Sequence, residues 1–187
     1  ITDSLVGSEM CIRDSLEPLH PYGIGKLTGE HYCRIYNDLF NLETIVLRYF
    51  SVYGHRQRGD IEHAGVIAKF FLQAKENNDI TIYGDGRQRR NFSMVLDVVK
   101  GTLLGAVKDK AIGEIINIAS EKEHTVKEIA ENIIKMTNSK SKIVFLEPLK
   151  GDPIRNKADT SKANNILEFQ ADYDLEKGLD YMYKKLF

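Results

Sequence analysis

The apolar residues of this chain follow two alternating periods from residue 22 onward. Between Tyr22 and Phe40, apolar side chains recur at helical spacing, which predicts one amphipathic helix. Short β-branched and aromatic runs alternate with further segments of helical period. The pattern predicts helices over residues 22–40, 65–77, 95–108, 125–137, 160–168 and 174–186, and strands over residues 42–50, 79–86, 114–120 and 142–148.

This order of elements predicts an α/β fold. Residues 42–50 read LETIVLRYF, a run typical of a strand that is buried on both faces of a parallel sheet. The polar, glycine-containing residues 54–63 predict a loop. Thr125, with Glu128 three residues later, predicts a capping box at the start of the helix over 125–137.

Composition and charge limit the kinds of partner and site that we expect for this chain. The chain has 187 residues, 42% of them hydrophobic, which is enough for one good core. Its net charge of −1 comes from interspersed residues, so we expect no nucleic-acid partner and no anionic membrane partner. No run approaches eighteen apolar residues and no signal peptide is evident, which predicts a cytoplasmic protein. Cys11 and Cys33 lack metal-binding spacing, and so do His55 and His63 beside Asp60 and Glu62, so we expect no metal site.

The first fifteen residues, ITDSLVGSEMCIRDS, differ from the rest of the chain. They show neither an apolar period nor a recognisable turn signature, and the hydrophobic pattern changes at Leu16. SLVGSEMCIRDS resembles the translation of a sequencing adapter, which predicts that residues 1–15 are an artefact and that true upstream sequence is missing. The alternative is a disordered native tail.

Tyr22 and Lys26, in the stretch PYGIGK, lie on one face of the first predicted helix. A phenol is a poor base at neutral pH, and an ammonium group one turn away favours its phenolate form, which permits proton abstraction. The alternative is two ordinary residues on a solvated helix. A phosphate loop is excluded, because His20 stands where the motif requires Gly and Leu27 where it requires Ser or Thr.

Two further stretches lie where ligands bind in parallel sheets. LRYFSVYG, residues 47–54, follows a buried strand, and ligands bind beyond the carboxyl ends of such strands. ITIYGDGRQRRNF, residues 80–92, combines Tyr83 with three arginines, which suits an aromatic ring beside a diphosphate. The alternative for residues 80–92 is a solvated hairpin turn with surface arginines.

Taken together, the motifs resemble one family. PYGIGKLTGE, LRYFSVYGHRQ, ITIYGDGRQRRNF, GEIINIAS and GDPIRNKADTSKA occur in the order and at the separations found in the NAD-dependent epimerase/dehydratase family, the extended short-chain dehydrogenases that act on nucleotide sugars. The resemblance covers residues 16–187. It implies NAD as cofactor, a nucleotide sugar as substrate and a homodimeric full-length protein.

The resemblance also implies residue roles. Tyr22 matches the catalytic acid/base, and Lys26 matches the lysine that holds the nicotinamide ribose and favours the phenolate. Beside the nicotinamide the resemblance places the backbone of Tyr49, Phe50 and Val52. It implies substrate contacts for Ser51 (sugar nucleotide), Gly65 and Val66 (nucleotide), Thr81 and Tyr83 (base), Arg90 (diphosphate) and Asp152 (ribose).

The sequence departs from the family pattern at three positions that bear on the sugar and base preferences. His55 replaces the usual Pro, Asn91 the usual Asp, and Leu149 a second diphosphate Arg, with Lys150 adjacent. The sequence has no G-x-x-G-x-x-G, the family's pyrophosphate motif.

The implied fold is the C-terminal half of a Rossmann-type extended short-chain dehydrogenase with a small α/β substrate domain. Residues 16–50 end the Rossmann domain, residues 51–187 mainly form the nucleotide-sugar domain, and residues 95–119 return to the Rossmann domain.

The implied activity is that of a UDP-glucose 4-epimerase-like enzyme, truncated here and inactive alone. Tyr22 removes the proton of the sugar 4-hydroxyl while C4 passes a hydride to NAD, and the hydride then returns to the other face. An NDP-sugar 4,6-dehydratase and a non-catalytic nucleotide-sugar-binding fragment are the alternatives.

Overall fold

A computed structural model describes residue 18 and residues 21–61, 64–149 and 154–186. Its α-helices are α1 (Pro21–Phe40), α2 (Val66–Lys75), α3 (Val95–Val107), α4 (Val126–Thr137), α5 (Ser161–Leu167) and α6 (Leu175–Leu186), with a 3-10 helix at Asp109–Ala111. The strands are β1 (Val46–Tyr49), β2 (Val52–Tyr53), β3 (Ile80–Tyr83), β4 (Arg89–Arg90), β5 (Ser93–Met94), β6 (Ile115–Ile118), β7 (His124–Thr125), β8 (Ile143–Leu146) and β9 (Arg155–Asn156).

The strands pair mostly in parallel. β1 pairs with β6, β2 with β5 and β3 with β8, each in parallel register. β4 lies between β7, to which it is antiparallel, and β9, to which it is parallel. Parallel pairs connected through helices confirm the predicted α/β class.

Each predicted helix and each predicted strand is confirmed, with shorter bounds for the strands. The sequence did not reveal the five two-residue strands, which are too short to show an apolar period. Two expectations are wrong. The strand predicted over 42–50 begins only at Val46 and is not buried on both faces, since Tyr49 is exposed. Residues 80–92 are not a hairpin, because β3 and β4 pair with other strands.

The apolar core forms two main clusters. In the larger one, α2, α4 and α6 pack around β3 and β5, with Phe70, Phe71, Ile80, Ile129 and Leu179 fully buried. In the second, β6 packs against α3 and α5, and its members include Val98, Ile116, Ile118, Leu167 and Phe169. Burial of side chains of this size stabilises the fold by roughly 1.5–3 kcal/mol each before entropy is counted.

The predicted capping box at the start of α4 is confirmed. The main-chain N–H of Glu128 donates to Thr125 Oγ1 at 3.1 Å, and the N–H of Thr125 donates to Glu128 Oε2 at 2.7 Å. These bonds satisfy donors that a helix start otherwise leaves open. The hydrogen bond from the Thr125 N–H also holds the pKa of the Glu128 carboxyl below its ordinary value.

Helix α6 approaches β2 very closely at Gly178. A Cβ at this glycine would lie only 1.8 Å from the hydroxyl oxygen of Tyr53. No L-residue with a side chain fits there without a shift of the helix or the ring. Burial raises the pKa of the Tyr53 phenol above its ordinary value, and this hydroxyl has no hydrogen-bond partner among the described residues.

Helix α1 lies on the outside of the fold and buries none of its residues. A hydrogen bond of 2.9 Å from Thr44 Oγ1 to the carbonyl oxygen of Cys33 attaches it, and so does an ion pair between Glu30 and Arg48. Its apolar side chains, including Ile35, Leu39 and Phe40, stay exposed. Among the described helices, none combines the length and the apolar character needed to cross a bilayer.

Candidate functional site

Tyr22 and Lys26 lie one turn apart on the same face of α1, as predicted from their spacing. The Lys26 ammonium nitrogen is 5.2 Å from the centroid of the Tyr22 ring. The phenol is 71% exposed, and space for a side chain at Gly25 and Gly29 is open. An ammonium at this distance from an aromatic face is attracted to it. The pair is therefore held together on an accessible helical face.

The ion pair between Glu30 and Arg48 fixes this helical face relative to β1. Arg48 donates from Nε to Glu30 Oε1 at 2.7 Å and from Nη2 to Glu30 Oε2 at 2.5 Å. Both side chains are only 15% exposed. Glu30 lies one turn after Lys26, so the bidentate pair sets the position of the Tyr22 and Lys26 face against the end of β1.

A cavity of about 210 Å³ lies between β2, the start of α2 and the end of β4. It joins parts of the chain that are distant in sequence. Five of the predicted site residues line it, namely Ser51, Val52, Gly65, Val66 and Arg90. The remaining lining residues are Tyr53, Gln57, Ile67, Phe92 and Val126.

Ser51 forms the corner of this cavity between β1 and β2. Its φ of 35° places it in the left-handed region, which is uncommon for a residue other than glycine. Its carbonyl oxygen accepts a hydrogen bond of 3.2 Å from the N–H of Ser93, which ties the corner to β5. Backbone conformations of this kind are frequent at ligand sites.

Arg90 is the one charged residue among the side chains that line the cavity. It is placed by β4, which is paired on both sides. Its Nη1 donates to the carbonyl oxygen of Arg89 at 2.8 Å. The next residue, Asn91, is fully buried and holds the strand in place through its amide. A guanidinium fixed at a cavity of neutral side chains attracts anions, and its planar donors match phosphate oxygens.

Thr81 and Tyr83 lie outside the cavity lining. They face α2, where Gln73 Nε2 donates to Thr81 Oγ1 at 3.1 Å. The Lys69 ammonium nitrogen is 5.5 Å from the centroid of the Tyr83 ring. Because α2 begins at the cavity, these residues lie along the helix that leads away from it.

The two residues at the end of β1 also lie outside the cavity lining. The Tyr49 hydroxyl is 3.0 Å from Thr102 Oγ1, and the Phe50 ring is buried with Ala119 and Ala158. Any ligand contact of Phe50 would therefore use its main chain. Asp152, the predicted ribose contact, lies outside the described residues, as does Lys150.

Sequence reasoning missed five cavity residues. Tyr53, Gln57 and Phe92 stand within the motifs LRYFSVYGHRQ and ITIYGDGRQRRNF but were given no role there. Val126 stands in a segment whose pattern indicated only secondary structure. The polar signal of Gln57 was present in GHRQRGDIEH, but nothing in the pattern told it apart from its neighbours. Only the approach of this loop to Gly65 places it at the cavity.

A family model described as "NAD dependent epimerase/dehydratase family" matches residues 2–119. Among curated proteins, the uncharacterized UDP-glucose epimerase YtcB of Bacillus subtilis is 38% identical over 165 residues, which are 88% of this chain and 51% of that protein. The UDP-N-acetyl-alpha-D-glucosaminuronate decarboxylase of Bacillus cytotoxicus is 38% identical over 183 residues, 95% of this chain and 54% of that protein. The chain thus spans about half the length of these relatives.

A solved structure agrees with these matches. The UDP-glucuronic acid 4-epimerase of Bacillus cereus, solved in complex with UDP-glucuronic acid and NAD, superposes with a TM-score of 0.85 and 35% identity. The match covers 95% of this chain and 55% of that one. It confirms the predicted resemblance and the Rossmann-type fold class. The chain belongs to the NAD-dependent epimerase/dehydratase family.

Proposed function

We propose that this protein is an NAD-dependent nucleotide-sugar epimerase of the UDP-glucose 4-epimerase type. One observation carries the proposal: Ser51, Gly65 and Arg90, predicted as substrate contacts from separate motifs, line a single cavity. Relatives and solved neighbours in the same family are named for UDP-sugars, which supports a UDP-sugar as substrate.

The cavity suits a sugar diphosphate. Arg90 supplies the one positive charge of the lining and would bind the diphosphate oxygens. Ser51 at the corner would contact the sugar nucleotide, while Gly65 and Val66 would contact the nucleotide through their main chain. Thr81 and Tyr83 would line the base, since α2 leads from the cavity toward them.

The described residues fit the nicotinamide end of NAD. Tyr22 and Lys26 present a phenol and an ammonium group on one open helical face. Lys26 would hold the nicotinamide ribose, and the main chain of Tyr49, Phe50 and Val52 would line the nicotinamide. When bound, NAD would supply reversible oxidation at C4 of the sugar.

The chemistry of this chain is then a proton transfer. Tyr22 as phenolate takes the proton of the sugar 4-hydroxyl on its Oη and later returns it. Lys26 stabilises the negative charge of the phenolate through its nearby ammonium. The ion pair of Glu30 and Arg48 keeps this face in position.

The two apolar clusters support a division of the chain into a cofactor-binding part and a nucleotide-sugar-binding part. We propose that residues 16–50 and 95–119 belong to the cofactor-binding part, because β1, β6 and α3 share the second cluster. The remainder of 51–187 would form mainly the nucleotide-sugar part, although α5 packs with the second cluster. Cytoplasmic location and homodimer formation stay predictions.

Calorimetric titration of the chain with UDP-glucose tests the substrate assignment. Arg90→Met should weaken binding at least tenfold, because it removes the charge-assisted bonds to the diphosphate. Arg87→Met is the matched control, since Arg87 is a highly exposed arginine of the same segment. Equal loss in both variants, or no binding by the wild-type chain, would contradict the assignment.

A second candidate is a nucleotide-sugar-binding protein without catalysis. The two candidates differ in the turnover of the full-length protein: with NAD the epimerase interconverts UDP-glucose and its 4-epimer, and Tyr22→Phe abolishes this without loss of UDP-glucose binding. Tight binding without epimerisation by the full-length wild type would contradict the epimerase. A 4-keto-6-deoxy product would then identify a family dehydratase, and the absence of any product would favour the second candidate.

A further inference from the structure

We propose that helix α6 detaches from β2 and docks again as one unit, and that the unpaired hydroxyl of Tyr53 favours this opening. Three features of the structure support a detachable helix. The chain is fixed immediately before α6, the helix carries stabilising contacts of its own, and its docking buries two polar atoms without partners. The opening goes beyond the proposed function, because it is a property of the protein without a ligand.

Residues 168–174, which join α5 to α6, are fixed on α3. Both carboxylate oxygens of Asp97 accept hydrogen bonds from main-chain N–H groups, from Asp172 at 2.8 Å and from Tyr173 at 3.1 Å. Asp97 is only 2% exposed. The Lys100 ammonium donates to Asp172 Oδ2 at 2.8 Å. The fixed part of the chain therefore ends at Tyr173, just before α6 begins, and a hinge for the helix lies there.

Helix α6 carries contacts that do not depend on its docking. Asp174 Oδ1 accepts a hydrogen bond of 2.9 Å from the N–H of Lys177, which caps the helix start. One turn apart on the helix surface, Lys184 Nζ lies 2.6 Å from Asp180 Oδ2. These contacts remain when the helix leaves the cluster, so α6 opens as one segment.

The docking of α6 on β2 buries two polar atoms without partners. Tyr53 Oη and His55 Nδ1 are buried, and neither has a hydrogen-bond partner among the described residues. A Cβ at Gly178 would lie 1.8 Å from Tyr53 Oη, and the ring centroids of His55 and Tyr181 are 5.7 Å apart. The structure describes four such atoms in all, so two of them meet at this one contact. Because water would hydrogen-bond both atoms after detachment, they raise the free energy of the docked state.

The docked helix is nevertheless the major state. Its buried side chains Leu175, Leu179 and Met182 belong to the larger apolar cluster, and burial of apolar surface favours docking. The carbonyl oxygen of Leu186 also accepts a hydrogen bond of 2.9 Å from Lys75 Nζ. Detachment exposes these few side chains instead of the whole core, so it costs less free energy than global unfolding.

Detachment of α6 would change one wall of the cavity. The ring of Tyr53 lines the cavity, while its hydroxyl lies against α6 at Gly178. The helix therefore supports this wall only while it is docked. A ligand that contacts the wall binds the docked state better, so ligand binding and docking favour each other by the same factor. This link rests on the proposed function, which supplies the ligand.

Hydrogen-exchange mass spectrometry in low concentrations of urea tests the opening in the free protein. We expect the amides of α6 to exchange through one shared opening with a smaller urea dependence than global unfolding. Tyr53→Phe removes the unpaired hydroxyl and keeps the ring, so it should slow exchange in α6 about 3- to 10-fold. Tyr32→Phe, at a tyrosine that is 61% exposed on α1, is the matched control and should leave exchange in α6 unchanged.

Gly178→Ala gives a second test in which helix propensity and docking predict opposite results. Alanine raises the intrinsic helix propensity, which by itself would slow exchange in α6. Its Cβ would lie 1.8 Å from Tyr53 Oη, so we expect α6 to exchange at least tenfold faster while α3 is unchanged. Tyr53→Phe in the same chain should restore part of the protection, because the nearest atom is then Cζ at 2.8 Å.

The outcomes are distinct. If α6 exchanges only through global unfolding, or if Tyr53→Phe fails to slow its exchange, the inference is overturned. Saturating UDP-glucose should slow exchange in α6 of the wild type about tenfold, and binding in calorimetric titration without this effect would overturn the link to the cavity. If UDP-glucose does not bind, the proposed function fails and the link fails with it, while exchange in the free protein still decides whether α6 detaches.

Discussion

Asn91 donates a hydrogen bond from its side-chain Nδ2 to the carbonyl oxygen of Ser120 at 2.8 Å. Its Oδ1 accepts a second bond, of 2.9 Å, from the N–H of Ala158. The amide therefore joins β4 to the ends of two other segments with a donor on one side and an acceptor on the other. The family usually carries Asp at this position, and a carboxylate could form only the second of these bonds.

Asn91→Asp should destabilise this protein in spite of the family pattern. The carboxylate would face the Ser120 carbonyl oxygen in a fully buried position, with loss of about 1–3 kcal/mol of unfolding free energy. Urea denaturation measures this loss. Asn165→Asp, on the exposed surface of α5, is the control and should change the free energy by less than about 0.5 kcal/mol. Equal stability of the Asn91→Asp variant and the wild type would refute the prediction.

The ion pair between Glu30 and Arg48 should be the main attachment of α1. Arg48→Met leaves the Glu30 carboxylate half-buried without its bidentate partner, so we expect the amides of α1 to exchange hydrogen about tenfold faster. Hydrogen-exchange mass spectrometry measures this rate helix by helix.

Arg58→Met provides the matched control for α1. Arg58 and Asp60 form a bidentate pair of similar length, but both side chains are mostly exposed. Exposed pairs contribute little, so this variant should leave exchange unchanged throughout the chain. Faster exchange in α1 for both variants, or for neither, would count against the special role of Arg48.

The exposed apolar face of α1 should make the chain self-associate. Leu39→Glu places a charge near the C-terminal end of this face and should shift the sedimentation equilibrium toward monomer by tenfold or more in the association constant. Val107→Glu is a close control, since Leu39 is 71% exposed and Val107 is 72% exposed at the end of a different helix. A monomeric wild type would rule the prediction out.

The free energy of unfolding should decrease at acidic pH, in part because the Glu123 carboxylate becomes protonated. The bidentate hydrogen bonds from Arg155, at 2.9 and 2.5 Å, hold the pKa of this half-buried carboxyl below its ordinary value. A lowered pKa means that the ionised form is favoured by folding. Its contribution is therefore complete above the ordinary pKa of a glutamate and is lost as the pH falls through the lowered value.

Thermal melts of Glu123→Gln across pH check this prediction. The variant should melt below the wild type at pH 7, and the difference in Tm should shrink as the pH falls below about 4. Glu121→Gln, an exposed neighbour in the same segment, should follow the wild type at every pH. A gap in Tm that does not change with pH would mean that the charge of Glu123 is not the cause.

Most of the long elements were predictable because they bury one continuous face, whereas α1 was predictable from its helical spacing although it buries none of its residues. Helix α4, for example, carries Ile129 and Ile133 on one side and begins with a capping box that is visible in the sequence. The two-residue strands were not predictable, since they are defined by pairing between distant segments, as in the register of Arg90 with His124. A run of two residues has no period to detect.

The residues of the candidate site also differ in how far the sequence predicts their positions. The face shared by Tyr22 and Lys26 follows from helical spacing alone. The convergence of Ser51, Gly65 and Arg90 depends on long-range pairing and was inferred only through the resemblance to a family. The contact between Gln57 and Gly65 left no trace in the sequence, because it depends on a glycine whose role is to leave space.

The contact between Tyr53 and Gly178 has a consequence for biosynthesis. The ring of Tyr53 forms part of the cavity wall, and its hydroxyl lies against a helix more than one hundred residues downstream. On the ribosome, all the other lining residues are made long before this support emerges. The cavity wall at Tyr53 therefore gains its support only when α6 has left the exit tunnel and docked, so a ligand cannot stabilise the completed cavity in a nascent chain before α6 has been made.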